Sequence, residues 1–231
     1  MHPGLGLMLF HMAPKTLSRM GFLLTGGKSS RMGADKAFLD FGGQTLLHRA
    51  LTVMGPVCGK VSIVGDPARF AESGSTKYDA AKYDAAKYGS VVADIFPGCG
   101  PLAGIHAALV HSTAELNLML AVDMPFVSPE LLAFLFATAE DADNHAIVTV
   151  PRTSKGLQPL CAVYRRDFSV AAEQALRAGK YKIDAAFSSV SIRVIAEDEL
   201  AAAGFSEQSF FNLNTPQDRL AAEGRDFDSP S

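Results

Sequence analysis

Residues 23–36 read LLTGGKSSRMGADK, and this stretch decides both the architecture and the chemistry to look for. Gly21-Phe22-Leu23-Leu24 is a short apolar run that reads as the end of a fully buried strand. Gly26 and Gly27 free the backbone to turn sharply, and their missing side chains let N–H groups approach a ligand closely. Arg31 and Lys36 follow, with Gly33 between them. Two cations so placed suit a polyphosphate, the arginine by bidentate contact and the lysine as a point charge. A tight turn alone would not require the cations.

Two common phosphate loops do not fit. Gly27-Lys28-Ser29 supplies the second half of G-x-x-x-x-G-K-[ST], but the first glycine would have to stand at Phe22. The dinucleotide fingerprint G-x-G-x-x-G is absent. Working outward, apolar runs alternate with helical patterns. Strands are predicted at 61–64, 91–93, 118–122, 146–150, 160–164 and 192–195, and helices at 44–54, 101–110, 129–139 and 167–178, with a last helix opening at Thr215-Pro216. This alternation predicts an α/β fold, a mostly parallel central sheet with helices on both faces. Ligands in such sheets sit beyond the carboxyl ends of the strands. Gly26, Asp94 and Asp123 each follow a predicted strand, so all three are expected at one crevice.

A chain of 231 residues, 48% hydrophobic with a net charge of −3, can bury one good core and shows no basic face for nucleic acid. Cys58, Cys99 and Cys161 are odd in number and lack a C-x-x-C pair, which argues against a disulfide framework and a structural zinc site and fits a reducing cytoplasm. No apolar stretch reaches the ~18 residues of a membrane span. Residues 1–19 lack a signal-peptide pattern and read as a disordered or misannotated extension, with Met12 and Met20 as alternative starts. A single domain is expected over 20–225 and a tail over 226–231. The tandem Lys77-Tyr78-Asp79-Ala80-Ala81, Lys82-Tyr83-Asp84-Ala85-Ala86, Lys87-Tyr88 matches neither helix nor strand period and reads as part of a loop insertion over 74–90.

Asp123, before Met124-Pro125-Phe126, is the leading candidate for a Mg²⁺ carboxylate, because Mg²⁺ uses one or two carboxylates with substrate phosphates and water. The alternative is a strand-end aspartate that caps its turn. Asp94 is a second acid at the same rim, or a turn residue before Phe96-Pro97-Gly98. Gly100-Pro101 opens a helix whose N-terminus suits an anion. Gln158, Asn212 and Asn214 offer amide donors and acceptors, or make local turns.

The run LLTGGKSSRMGADKAFLDFGGQTLL resembles the signature of the molybdenum cofactor guanylyltransferases, which carry a leucine-alanine-glycine-glycine loop, arginine-methionine-glycine and an aspartate-lysine pair. Thr25 replaces the usual alanine. Asp94 with Gly98-Cys99-Gly100-Pro101-Leu102-Ala103-Gly104, then Val122-Asp123-Met124-Pro125-Phe126, Gln158-Pro159-Leu160 and Asn212-Leu213-Asn214-Thr215-Pro216 follow in the family's order, from about 20 to 220. The resemblance implies a Rossmann-like nucleotidyltransferase fold and transfer of GMP from GTP to the terminal phosphate of molybdopterin. It implies Leu24, Thr25, Gly26, Gly27, Lys36, Asp94 and Asp123 at GTP, with Arg31, Lys36 and Asp123 catalytic and Mg²⁺ on Asp123. Gly100, Pro101, Gln158, Asn212 and Asn214 are implied at the pterin. Transient contact with molybdoenzymes or other proteins of cofactor biosynthesis is implied too. A cytidylyltransferase of the same kind, a related small-molecule nucleotidyltransferase and a non-catalytic pterin or nucleotide carrier are the competing readings. Gly33-Ala34-Asp35-Lys36 favours the guanylyl branch.

Overall fold

A computed structural model of the chain describes residues 17–26, 35–72, 88–141 and 143–223. Gly27, Lys28, Arg31 and Gly33, the greater part of the leader, residues 77–87 of the repeat and the tail lie outside the described residues. Strand β1 (Arg19–Leu24) leads through a 3-10 turn at Lys36–Phe38 and the short pair β2 (Asp40–Phe41) and β3 (Gln44–Thr45) into helix α1 (Leu46–Met54). Then come β4 (Lys60–Val64), α2 (Pro67–Glu72), β5 (Tyr88–Val92), α3 (Pro101–His111), β6 (Leu116–Ala121) and α4 (Pro129–Glu140). The second half holds β7 (Val148–Thr153), β8 (Gly156–Leu157), β9 (Cys161–Arg165), α5 (Phe168–Arg177), α6 (Ile183–Phe187), β10 (Ile192–Ile195), α7 (Glu197–Ala202) and α8 (Pro216–Glu223).

One sheet joins these strands in the order β10-β7-β9-β6-β1-β4-β5, with β8 on β7. Pairs β1–β4, β1–β6, β4–β5 and β10–β7 are parallel, and β9 runs antiparallel between β6 and β7. Alternating strand residues feed two cores, as the period of two in a strand requires. Leu23, Leu118 and Leu120 pack with α1, α4 and α7 on one face, while Phe22 and Met119 pack with α3, α5 and α6 on the other. All six residues of β6 are buried, which is why that run carries no polar alternation. Gly21 lets α1 lie close to β1: a Cβ there would stand 2.7 Å from Met54 Cε and 2.8 Å from Cys58 Sγ.

The expected α/β architecture, mostly parallel with helices on both faces, is therefore present. Its margins differ from the sequence reading. Gly26, Asp94 and Asp123 each stand two residues past a strand end rather than directly on it. The helix expected from Gln44 starts at Leu46, because Gln44 and Thr45 pair with Phe41 and Asp40 and the Thr45 side chain then caps the helix.

Candidate active site

The parallel strands β1, β4, β5 and β6 all end on one edge of the sheet. The chain steps outward from β1 to β4 to β5, then returns to place β6 on the other side of β1. The strand order thus reverses between β1 and β6, the position at which open α/β sheets hold ligands. Leu24 and Ala121 are register partners across this switch point, and Val122 N–H donates to the Leu24 carbonyl at 3.1 Å.

Beyond β1 the chain is pinned to β4. Thr25 N–H and Thr25 Oγ1 both donate to the Val64 carbonyl, at 3.0 and 2.9 Å. Thr25, read as a small residue standing in for alanine, is 5% exposed and uses its hydroxyl in the sheet. Its amide donates there as well, so within the expected nucleotide seat at Leu24, Thr25 and Gly26 the Thr25 N–H is already engaged by β4. Gly26 is exposed, with open space where a Cβ would point. Gly65 must stay bare for this arrangement, since a Cβ would fall 2.5 Å from Thr25 Oγ1.

Three side chains far apart in sequence meet at the β6 side of the switch point. Lys36 Nζ donates to Asp123 Oδ2 at 3.0 Å and to Asn214 Oδ1 at 2.9 Å. The Lys36 and Asp123 side chains are 19% and 18% exposed. Each is fixed from behind. Lys36 opens the 3-10 turn, which Asp35 caps by accepting from Ala37 N–H at 3.1 Å. The Asp123 carbonyl accepts from Leu213 N–H at 2.8 Å, which brings the 212–214 segment alongside. Asp218 Oδ2 accepts from the Asn214 and Thr215 amides at 2.9 and 2.8 Å, while Thr215 Oγ1 accepts from Asp218 N–H at 3.1 Å. That reciprocal cap orients Asn214. Asn214, expected at the pterin, thus stands with Lys36 and Asp123.

Asp94 follows β5, and its carboxylate reaches back over Gly104 towards Leu24 and Val64. Strands β1 and β4 separate β6 from β5, so the two acids stand about 14 Å apart at strand level. Asp94 is half-buried, and desolvation pushes its carboxyl above the ordinary carboxylate value. Its Oδ1 lies against Gly104 of α3, 3.7 Å from where a Cβ would stand. The N-terminus of α3 opens beside it, with Gly100 at φ 77°, Pro101 in the first turn and no side-chain cap. Gly100 also faces the Tyr181 carbonyl, 4.0 Å from its absent Cβ, which sets the exposed Lys180 and Lys182 near that helix end.

Two further amides serve the fold locally. Gln158 Nε2 donates to Thr153 Oγ1 at 2.9 Å and to the Gly156 carbonyl at 3.2 Å, inside the β7–β8 hairpin. Asn212 Nδ2 donates to the Phe210 carbonyl at 3.3 Å. In both, the side-chain nitrogen makes a contact within its own turn. Sequence reasoning also passed over Arg69, which pairs with Asp35 and reaches the Thr25 carbonyl at 3.2 Å. The only signal for it was a Gly-Asp-Pro turn directly after a strand.

A divalent cation is tested by the donors present. Among the described residues, no three His, Cys, Asp or Glu side chains gather as a metal cluster. Asp123 and Asn214 do present hard oxygen donors, both facing Lys36 Nζ, and Mg²⁺ completes its shell with phosphates and water. The set fits Mg²⁺ held together with a substrate, rather than a closed protein cage.

Comparison with known proteins bears on the fold and the family. The MobA-like NTP transferase domain matches residues 21–193. A probable molybdenum cofactor guanylyltransferase from Pelotomaculum thermopropionicum is 36% identical over 206 residues, 89% of this chain and 92% of that protein. A molybdenum cofactor guanylyltransferase from Desulfosudis oleivorans is 32% identical, over 88% and 93%. The crystal structure of molybdopterin-guanine dinucleotide biosynthesis protein A from Archaeoglobus fulgidus superposes with a TM-score of 0.72 at 29% identity, covering 88% of this chain and 96% of that one. A 2-C-methyl-D-erythritol 4-phosphate cytidylyltransferase from Thermus thermophilus, at 19% identity and TM-score 0.59, shares the fold. With the pattern of its strands, the reversal beside β1 and a domain match over most of its length in agreement, the chain belongs to the MobA-like nucleotidyltransferases.

Proposed function

We propose that this protein transfers GMP from GTP to the terminal phosphate of molybdopterin, releasing pyrophosphate. The observation that carries the reading is the meeting of Lys36, Asp123 and Asn214 at the switch point of a MobA-like fold. In the reaction, an oxygen of the pterin phosphate attacks the α-phosphorus of GTP. A new phosphoanhydride forms, and the bond from the α-phosphorus to its bridging oxygen breaks, the electron pair leaving on pyrophosphate. A phosphate monoester has its second pKa near ~6, so the nucleophile is largely ionised at neutral pH and needs no general base.

What remains is positional and electrostatic work. Lys36 lies at the mouth of β1 and β6, where its ammonium draws charge onto the leaving pyrophosphate. Asn214 orients that ammonium through its side-chain oxygen. Asp123, with the Asn214 oxygen beside it, would hold Mg²⁺, which when bound neutralises charge on the triphosphate. Gly26 gives close backbone approach to the phosphates. Arg31, by its place in the sequence, adds a second cation. Asp94, the second acid of the rim, accepts from the base; guanine offers N–H donors there. The α3 N-terminus at Gly100 and Pro101, flanked by Lys180 and Lys182, suits the pterin phosphate. Gln158 and Asn212, whose side-chain nitrogens are engaged locally, would turn their amide oxygens to the pterin ring.

No described helix is long and apolar enough to cross a membrane, and all three cysteines are free, which supports a reducing cytoplasm as the setting. The test is a substrate panel: the purified chain with molybdopterin, Mg²⁺ and each of the four nucleoside triphosphates, read by pyrophosphate release. Release with GTP alone is expected. Release with CTP instead moves the chain to the cytidylyl branch, and none with any nucleotide removes the enzymatic reading.

A further inference from the structure

Arg69 stands outside the residues given a role above, yet its guanidinium reaches both Asp35 and Thr25 at the edge of the site. Nε donates to Asp35 Oδ2 at 2.9 Å, Nη2 to Asp35 Oδ1, and Nη1 to the Thr25 carbonyl at 3.2 Å. Thr25 and Asp35 stand on the two sides of the glycine-rich stretch of sequence, and Asp35 is the residue before Lys36. We infer that Arg69 is a positioning residue for the nucleotide site: by tying the Thr25 carbonyl to the Asp35 carboxylate it holds Lys36 on Asp123 and Asn214.

The geometry separates this from an ordinary surface ion pair. The contact to Asp35 is bidentate, the form in which an arginine–carboxylate pair carries orientation as well as charge. Both side chains are only 28% exposed. Asp35 Oδ1 also accepts from Ala37 N–H, so the carboxylate that Arg69 grips is the one that caps the turn beginning at Lys36. A second link runs in parallel. The Phe38 and Phe70 rings pack with centroids 5.9 Å apart, joining α2 to the same turn, and the Arg69 guanidinium lies 5.8 Å from the Phe70 ring. Gly65 completes the approach: a Cβ on it would meet Thr25 Oγ1 at 2.5 Å, Phe70 Cε2 at 3.5 Å and Arg69 Nη1 at 3.9 Å.

The end of β1 does not depend on Arg69, because Thr25 is already fixed to Val64 through its amide and its hydroxyl. What Arg69 sets is the other side, the place of Asp35 and therefore of the lysine that follows. Lysine cannot replace it. An ammonium is a point donor on a flexible stem and cannot span both carboxylate oxygens and a backbone carbonyl at fixed angles.

The inference rests on the proposed GMP transfer for its kinetic consequence, but not for its structural one, so two readouts are needed. The first is steady-state GMP transfer by Arg69→Ala, Arg69→Lys, Asp35→Asn and the Arg69→Ala/Asp35→Asn double variant. A displaced catalytic group of this kind costs on the order of 10²-fold. The kcat/KM for GTP is expected to fall by about that factor in Arg69→Ala while KM for molybdopterin holds. Arg69→Lys is expected to recover at most about tenfold, and the double variant to resemble either single variant, because the partners act as a unit. The second readout is amide hydrogen exchange, by NMR and without substrate. Ala37 is expected to exchange about tenfold faster in Arg69→Ala, with the melting temperature within about 3 °C of the parent. Should the parent protein fail to transfer GMP, the proposed function falls, and the exchange rate alone decides on Arg69. Unchanged exchange at Ala37, full recovery by Arg69→Lys, or losses that multiply in the double variant would overturn the inference.

Discussion

Replacing Asp123 by Asn removes one negative charge and almost no volume, which makes it the sharpest probe of the site. Asp123 Oδ2 accepts from Lys36 Nζ at 3.0 Å, and both side chains are about four-fifths buried. A hydrogen bond to a charged group contributes about 1.5–3 kcal/mol. Lys36 keeps Asn214 as a partner and part of its exposure to water, so the net loss of stability is about 1 kcal/mol. For a chain of this length that lowers the melting temperature by about 2–4 °C. Turnover should respond far more. Removing a preorganised charge-stabilising group typically costs 10²–10³-fold in kcat, about 2.7–4 kcal/mol. Binding of GTP without metal should move the other way. The carboxylate repels the triphosphate and occupies Lys36, so its removal should tighten metal-free GTP by about fivefold, or about 1 kcal/mol. The assay pairs pyrophosphate release over a Mg²⁺ titration with GTP binding in chelator and a thermal melt. A near-native kcat at saturating Mg²⁺, or weaker metal-free binding, would refute the role given to this carboxylate.

The packing at Gly65 gives a second prediction. Gly65→Ala places a methyl 2.5 Å from Thr25 Oγ1 and should cost about 1–3 kcal/mol with reduced GTP affinity, while Thr25→Ala in the same chain should restore part of both; no rescue in urea unfolding would contradict the contact. A third concerns pH. His106 is 2% exposed with Phe96 at 5.2 Å; burial holds its pKa below the ordinary 6.5, although Glu173 at 3.8 Å pulls the other way and Arg177 reinforces the lowering. The unfolded chain takes the proton first, so the stability due to neutral His106 is complete above about pH 6.5 and declines as pH falls below it. Urea unfolding between pH 7.5 and 5.5 should show a decline that His106→Leu flattens, and an equal decline in both proteins would dismiss the assignment.

The arrangement of strands was legible because buried parallel strands are short apolar runs, and Leu118–Val122 could hardly be anything else. So was the expectation that Asp94 and Asp123 share a rim, which follows from a general property of parallel sheets rather than from any contact. Contacts between distant segments were not legible. Asn214 lies 178 residues from Lys36, and no local pattern in Asn-Leu-Asn-Thr-Pro tells which side chain points at a ligand and which closes a turn. The task of the Thr25 hydroxyl was hidden because its partner is a carbonyl on another strand. Arg69 was missed because a six-residue helix shows too few turns to display a face. Strand β5 begins earlier than expected, at Tyr88 inside the loop read over 74–90, because Tyr88 closes the repeat and Gly89-Ser90 carry no apolar signal.

The most direct measurement of the central claim follows phosphorus atoms. GTP labelled separately at the α- and γ-phosphates is incubated with the protein, molybdopterin and Mg²⁺. The account predicts that all transferred α-label enters the pterin product and all released γ-label appears as pyrophosphate, in equal amounts. Label released as orthophosphate with GDP, or α-label that stays on free nucleotide, would contradict attack at the α-phosphorus in this site.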